Sequence, residues 1–437
     1  MRWAPMLVLA VGCAQPSPVD SASEPLAAPP PTTERTVGEV SSPGSNMAAT
    51  ASPPPAMSAP PPAPSWVEQV LRAHGGDDMG SWLAEAASLR LQVLVTVLSI
   101  GPEGPRIEGE HAYRVDAEYV YPASAIKTFV AVATLRHLRK TAAAEGDSPR
   151  RYPRFKRCDA PAGKCEVPKP DEDSDPDDDR DEEKLRVDRE VRKLLAYSDN
   201  ESFDRFYDLL GHRTLNASMV EMGFPSVRIH HRLTTRTARR TARRVLLLPL
   251  GAPAIRIPAR TSDFVMTPTP ARRLDVGDGY REGRKVIEGP MNFGEKNYAS
   301  LRDLHRLHMA VVFPSLVPDA ELGLSPPDHE LLVGAMTGRL HPGKRGAVHK
   351  PMLPGLAEVV PKLDRLRYVN KSGRAYGFHL ENAYVEDTAA GRGFFVTASI
   401  YANPNGILND DDYAYEETSA PFLAAVGRGL ATRLFSK

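Results

Sequence analysis

Apolar and polar positions change their period several times along the chain, and each change marks an element. Between Arg90 and Ile100 (RLQVLVTVLSI) β-branched and apolar residues run almost unbroken to a Gly101-Pro102 breaker, which predicts a strand. Tyr113–Tyr121 reads as extended and stops at Pro122. From Ser124 to Leu138, Ile126, Phe129, Val130, Ala133, Leu135 and Leu138 recur at helical spacing. Helices are also predicted over Val67–His74 with Ser65 as N-cap, Val191–Ala196, Glu201–Leu210 with Gly211 as its stop, Leu301–Val312, and about Thr418–Phe435. Gly377–Val385 and Gly393–Tyr401 read as a strand pair around a turn at 389–391. The stretch from Thr141 to Arg189 is polar and charged, and no internal repeat is visible. Strands lie at both ends and most helices between them. Terminal strands pairing with each other around a helical middle give an α+β architecture of two lobes. A cleft between such lobes is a usual place for a site.

Composition sharpens the ends of this picture. Of the 41 prolines in 437 residues, 14 fall between Pro16 and Pro64. Residues 14–65, rich in Pro, Ala, Ser and Thr, bury too little apolar surface to offset their ordering entropy and read as a disordered tether. Ahead of it, Arg2, an apolar run Met6–Val11 and Ala10-Val11-Gly12-Cys13 form a signal segment, 1–13, that resembles a lipobox, with Ala10 where Leu is usual. Lipidation of Cys13 would make the protein an exported, periplasmic, membrane-anchored lipoprotein. Cys158 and Cys165 remain, either a short disulfide-closed loop or two free thiols. Zinc is not expected from two cysteines without nearby histidines.

Fifty-five basic and 55 acidic residues balance to a formal net charge of +0, which excludes a globally basic nucleic-acid binder. The total hides two segments. Cys158–Glu190 carries net −8, and Arg228–Arg260 holds nine arginines and no acid, net +9. Asp171, Asp173 and Asp175 alternate like calcium ligands, but Pro176 replaces the turn glycine and no twelfth-position Glu follows, so a solvated loop is expected and no metal. The arginine segment is expected to be solvated or paired with the acidic one.

Three motifs carry chemistry. Ser124-Ala125-Ile126-Lys127 is an S-x-x-K opening a helix, where both side chains emerge on one face and a lysine can serve a serine nucleophile as base. Tyr197-Ser198-Asp199-Asn200 follows a helix; Ser198 can relay a proton to a leaving nitrogen, and Asn200 can bind a substrate carbonyl. Each motif alone also reads as capping or turn sequence. Lys371-Ser372-Gly373 opens a predicted strand, where a lysine and a hydroxyl can hold a carboxylate.

S-x-x-K, S-D-N and K-[ST]-G in this order are the signature of penicillin-interacting serine enzymes. On these residues the region from about 66 to 437 resembles the class A β-lactamase and penicillin-recognising serine hydrolase family, with insertions near 141–189 and 226–290. The resemblance implies a five-stranded antiparallel sheet lobe plus an all-helical lobe. It implies Ser124 as acyl-accepting nucleophile, Lys127 as base or relay, Ser198 as proton donor, and Asn200, Lys371, Ser372 and Gly373 as substrate-binding residues. The oxyanion hole would be the N–H groups of Ser124 and Arg374. No cofactor is implied. The ligand would be a small-molecule β-lactam or a peptidoglycan peptide, the protein a monomer, and a role in antibiotic resistance follows.

One family element is missing. The glutamate of E-x-x-L-N would fall near Leu233, and no Glu or Asp occurs between Met222 and Arg260. His230 and His231 are alternative bases, though adjacent histidines in a basic loop are expected to be solvated. Acylation is therefore expected, with efficient deacylation in doubt. The alternatives are a D,D-peptidase-like penicillin-binding enzyme and a non-catalytic wall-peptide binding protein.

Overall fold

The computed structural model describes residues 63–145, 152–158, 185–235, 239–249, 252–338 and 349–436. Cys13, the tether, Cys165 and most of the acidic insertion lie outside them. The compact body begins at Pro64. The Ser65 hydroxyl accepts from the Glu68 N–H and caps α1 (Trp66–His74). A short helix α2 (Met79–Ala84) leads into a hairpin of β1 (Gln92–Gly101) and β2 (Gly104–Tyr113). The run 113–121, expected to be extended, turns instead: the strand ends at Tyr113 and bends follow over 114–118. Arg114 and Asp116 take left-handed backbone, and buried Gln92 clamps the turn by donating to Glu118 O and accepting from the Asp116 N–H.

A 3-10 turn, Ala123–Ile126, feeds α3 (Lys127–Glu145). Then come α4 (Val187–Ala196), α5 (Asn200–Glu221), α6 (Leu301–Val312), α7 (Pro326–Thr337) and α8 (Leu353–Val359). Strands β3 (Leu366–Asn370), β4 (Gly373–Ala375), β5 (Phe378–Asp387) and β6 (Arg392–Tyr401) precede the C-terminal α9 (Ala420–Phe435). The main sheet is antiparallel in the order β3-β5-β6-β1-β2, with β4 prolonging the β3 edge along β5. N- and C-terminal strands meet as the terminal pattern predicts, Val95 opposite Val396.

The period of two decides which side each side chain takes. Val93, Val95, Val97, Val396, Ala398 and Ile400 pack with α1, α8 and α9 through residues such as Leu71, Leu356 and Val426. Leu94, Leu98, Phe395 and Tyr384 face the helix-rich part, where Phe129, Leu304 and Leu307 are buried. Covering both faces explains why every residue of β5 is buried. Among the described residues no helix is long and apolar enough to cross a membrane.

The two insertions depart from the sequence expectation. Arg154–Cys158 is a strand, flanked by Leu185–Arg186 and Arg244–Leu248, and the latter pairs in turn with Ile255–Ile257. The helix-rich part thus adds a small four-stranded sheet to its helices. Cys158 ends its strand opposite Arg244 and is disulfide-bonded. Helix α4 starts four residues earlier than its apolar period predicted, at Val187. Gly211 ends the first helical run of α5 as expected, at non-helical φ 78 and ψ 158, and a second run, not foreseen, continues across this kink to Glu221. Arg260 donates to the Leu209 carbonyl freed by the kink, and its guanidinium fills the space a Gly211 Cβ would need.

The arginine segment is not simply solvated. Arg232 is buried and donates to Asp208 at 2.8 Å, and buried Arg228 donates to Thr267 and Pro225 carbonyls. His231 is buried as well, and the N–H groups of His230 and His231 donate to Asn297 Oδ1 at 2.8 and 3.1 Å. Asn297 thereby ties the start of the insertion near 226–290 to the chain just after it.

Candidate active site

The turn before α3 presents Ser124. Ala123 takes φ 45, and the 3-10 turn places Ser124 three residues before Lys127, the first residue of α3. Lys127 is fully buried, and its Nζ lies 3.1 Å from Ser124 Oγ.

The junction of α4 and α5 supplies the second wall. Ser198 sits in left-handed backbone at φ 57, and Asp199 caps α5 by accepting from the Glu201 N–H. Capping by Asp199 leaves its two neighbours free to face Lys127. Lys127 Nζ donates to Asn200 Oδ1 at 2.7 Å and to the Ser198 carbonyl, and lies 3.1 Å from Ser198 Oγ. An ammonium holds three donors, whereas a neutral amine offers a lone pair that can take the Ser124 proton.

The third wall is the sheet edge. Between β3 and β4 the chain breaks at Lys371-Ser372, although the Lys371 N–H still donates to Asn382 O. Lys371 Nζ lies 3.1 Å from Ser198 Oγ. The Ser198 hydroxyl therefore stands between two lysine nitrogens, each at 3.1 Å, the geometry a proton relay needs. Burial pushes the Lys371 ammonium down to about 8, against the attraction of Glu381. The ammonium is thus charged below that value and lost as pH rises through it. Behind this edge Lys350 donates to Asn370 Oδ1 and Tyr368 O, and Tyr368 donates to Glu381 Oε1. Burial lowers the Lys350 ammonium and raises the Glu381 carboxyl, and the attraction between them opposes both.

Gly373 lets the edge strand touch the turn that carries Ser124. A Cβ there would lie 2.5 Å from Pro122 O and 2.9 Å from Ser124 N. Tyr376 and Gly377, both with positive φ, make a two-residue turn closed by the pair Ala375–Phe378. A closing pair exchanges hydrogen bonds, so the next pair, Arg374–His379, does not. The Arg374 N–H therefore points away from β5. The Ser124 nitrogen lies beside Gly373, next to Arg374 in the chain, so two backbone N–H groups from different walls are neighbours that could serve an oxyanion. Gly373→Ala is expected to cost about 1–3 kcal/mol by overpacking. By parting the two donors it should also slow about a hundredfold any acylation of Ser124 that uses them. Thermal midpoints and adduct-formation rates of the variant check both effects.

All eight sequence-selected residues, Ser124, Lys127, Ser198, Asn200 and Lys371 to Arg374, thus fall on these three walls. The Arg374 side chain is exposed and pairs with Glu416 at 2.8 Å, so its contribution is its backbone. Sequence reasoning passed over Glu381, whose signal was a charged residue inside an apolar strand pattern. It also passed over Lys350 and His349, which carry no local signal. His349 Nδ1 lies 3.2 Å from Ser372 Oγ.

The β-lactamase enzyme family profile matches residues 106–428. No curated protein matches the chain. Among solved structures, the β-lactamase from Streptomyces albus G is 15% identical, covering 84% of this chain and 98% of that one, with a TM-score of 0.44. A β-lactamase from Sphaerobacter thermophilus is 13% identical, covering 82% and 98%, with a TM-score of 0.42. A class A β-lactamase from Mycobacterium abscessus is 14% identical, covering 81% and 98%, with a TM-score of 0.42. With a family match that runs from within β2 to within α9, the chain belongs to the β-lactamase enzyme family.

Proposed function

We propose that this protein is a serine acyl hydrolase in which Ser124 attacks the amide carbonyl of a β-lactam or of a related peptidoglycan peptide. The observation that carries the reading is the position of Lys127 Nζ, 3.1 Å from both the Ser124 and Ser198 hydroxyls. Lys127 takes the Ser124 proton as the Oγ–carbon bond forms. The carbonyl oxygen becomes an oxyanion against the Ser124 and Arg374 N–H groups. The amide C–N bond then breaks, and Ser198 hands a proton to the departing nitrogen. Lys371 and Ser372 hold the substrate carboxylate.

Release of the acyl group is slow in this reading. No carboxylate occurs between Met222 and Arg260, where the family's water-activating glutamate is expected. The N–H groups of Leu233 and Thr234 are instead occupied by Asp204 on α5. This favours a penicillin-binding or D,D-peptidase-like outcome over rapid turnover. The test is incubation with a chromogenic cephalosporin, following both colour and intact mass. One stoichiometric adduct that persists in the wild type and is absent in Ser124→Ala supports the reading. Steady turnover would show that another group activates water, and no adduct at all would leave only a non-catalytic wall-peptide binder. Export with anchorage through Cys13 completes the proposal, read by membrane fractionation of cells producing the full chain.

A further inference from the structure

The Ser372 hydroxyl has one proton, and His349 Nδ1 at 3.2 Å competes for it. If Nδ1 is bare, the hydroxyl donates to the ring and turns its lone pairs toward the site, which repels an anion. If Nδ1 carries a proton, in the neutral Nδ1–H tautomer or in the imidazolium, it donates to Ser372, whose own proton is then free for a carboxylate, and the imidazolium alone adds a positive charge that draws the anion. The state of His349 therefore decides whether Ser372 attracts or repels an anionic ligand.

His379 makes His349 the group that responds. Their rings stack at 5.7 Å. The Ser419 hydroxyl donates to Tyr415 O, so it can only accept from His379 Nδ1, at 2.7 Å. That places the His379 proton on Nδ1 and leaves Nε2 buried with no partner. Burial, then His349 and Arg374, hold His379 down at about 3. His379 is fully buried, whereas His349 is exposed at the surface; His349 is held down to about 4 by desolvation, then by Arg374 and Lys371, and raised by Glu416. Tyr415 closes the corner, edge-on to His379 and under the Arg374 guanidinium. Lys350, next in the chain, directs its ammonium to Tyr368 O and Asn370 Oδ1. A carboxylate seated at Ser372 would offset the fields of Lys371 and Arg374. An opposite charge at contact distance moves such a group by about 1–3 pH units.

We propose that His349 is a positioning residue that gains a proton from solvent when an anionic ligand binds, donates through Nδ1 to Ser372, and so turns the Ser372 hydroxyl toward the ligand carboxylate. The proposal rests on the reading of Lys371 and Ser372 as the carboxylate site.

The test is calorimetry of benzylpenicillin binding to the full-length Ser124→Ala protein, which cannot be acylated, in two buffers of different ionisation enthalpy. At pH 6, where Lys371 is already charged, binding is expected to take up a measurable fraction of a proton. Affinity should strengthen several-fold from pH 7.5 to 5. His349→Asn, whose amide can still donate, is expected to keep affinity within about threefold at pH 7.5 but lose the uptake. His349→Ala should weaken binding about tenfold, and the penicillin methyl ester should show neither uptake nor pH dependence. Uptake persisting in His349→Asn, an ester that behaves as the acid does, or no binding to the Ser124→Ala protein would each overturn the proposal. Adduct formation by the wild type decides the β-lactam reading separately.

Discussion

Lys127→Met is expected to slow acylation of Ser124 about a thousandfold, within the range a positioned general base contributes. That corresponds to about 4 kcal/mol of barrier. Methionine keeps the length and apolar stem of lysine but offers no proton acceptor of comparable basicity. The Ser124 Oγ, now 3.1 Å from Lys127 Nζ, would have to lose its proton to water. The variant also removes the donor that holds Asn200 Oδ1 at 2.7 Å, so part of the loss would come from a displaced Asn200. Adduct formation followed by intact mass at matched thermal midpoints separates chemistry from unfolding. A variant acylated at the wild-type rate would remove Lys127 from the mechanism.

Asp208→Ala is expected to give the largest loss of stability, about 3–5 kcal/mol, the usual cost of breaking a buried pair on one side. The Asp208 side chain is fully buried on α5. It accepts from Arg232 Nη1 at 2.8 Å and from the Arg243 N–H at 2.9 Å, with Arg157 at 3.8 Å. Arg232 also donates to Thr241 O and lies against the Tyr207 ring, so its cation has little water to turn to. Alanine would leave that cation without its carboxylate. Thermal unfolding reads the loss, and hydrogen exchange should localise it to the amides of 241–248. Removing the exposed partner of Arg239, Glu295, should leave the midpoint unchanged, because a solvated pair is screened. An Asp208→Ala midpoint equal to wild type would show that Arg232 finds another partner.

These expectations separate what was legible in the chain from what was not. The helix over 301–312 and the capped helix at 66–74 could be read because period and cap are set by residues within a turn or two. Gly211 was legible as the stop of the first helical run, because its φ of 78 is open to glycine at little cost. What the glycine did not show is that a second helical run follows, across a break where Arg260, 49 positions from Gly211, donates to the Leu209 carbonyl. The arginine segment misled: charge counts predicted solvation, and Asp208 buried part of it. The run 113–121 looked extended, but a glutamine from a neighbouring strand folded it back.

The sequence by itself determined the chemistry available. It set a serine and a lysine three positions apart on one helical face, a Ser-Asp-Asn cap, a Lys-Ser-Gly edge, and alternation that commits the terminal strands to one sheet. Those are local facts, settled by rotamers, hydrogen-bond spacing and the period of the backbone. Only the tertiary structure decided that Ser198 stands between Lys127 and Lys371, that Gly373 touches the Ser124 turn, and that His349 and Glu381 attend the site. Burial and charge interactions act through space between residues far apart in sequence, so the protonation of a lysine or a histidine is a property of the assembled walls and not of its neighbours in the chain.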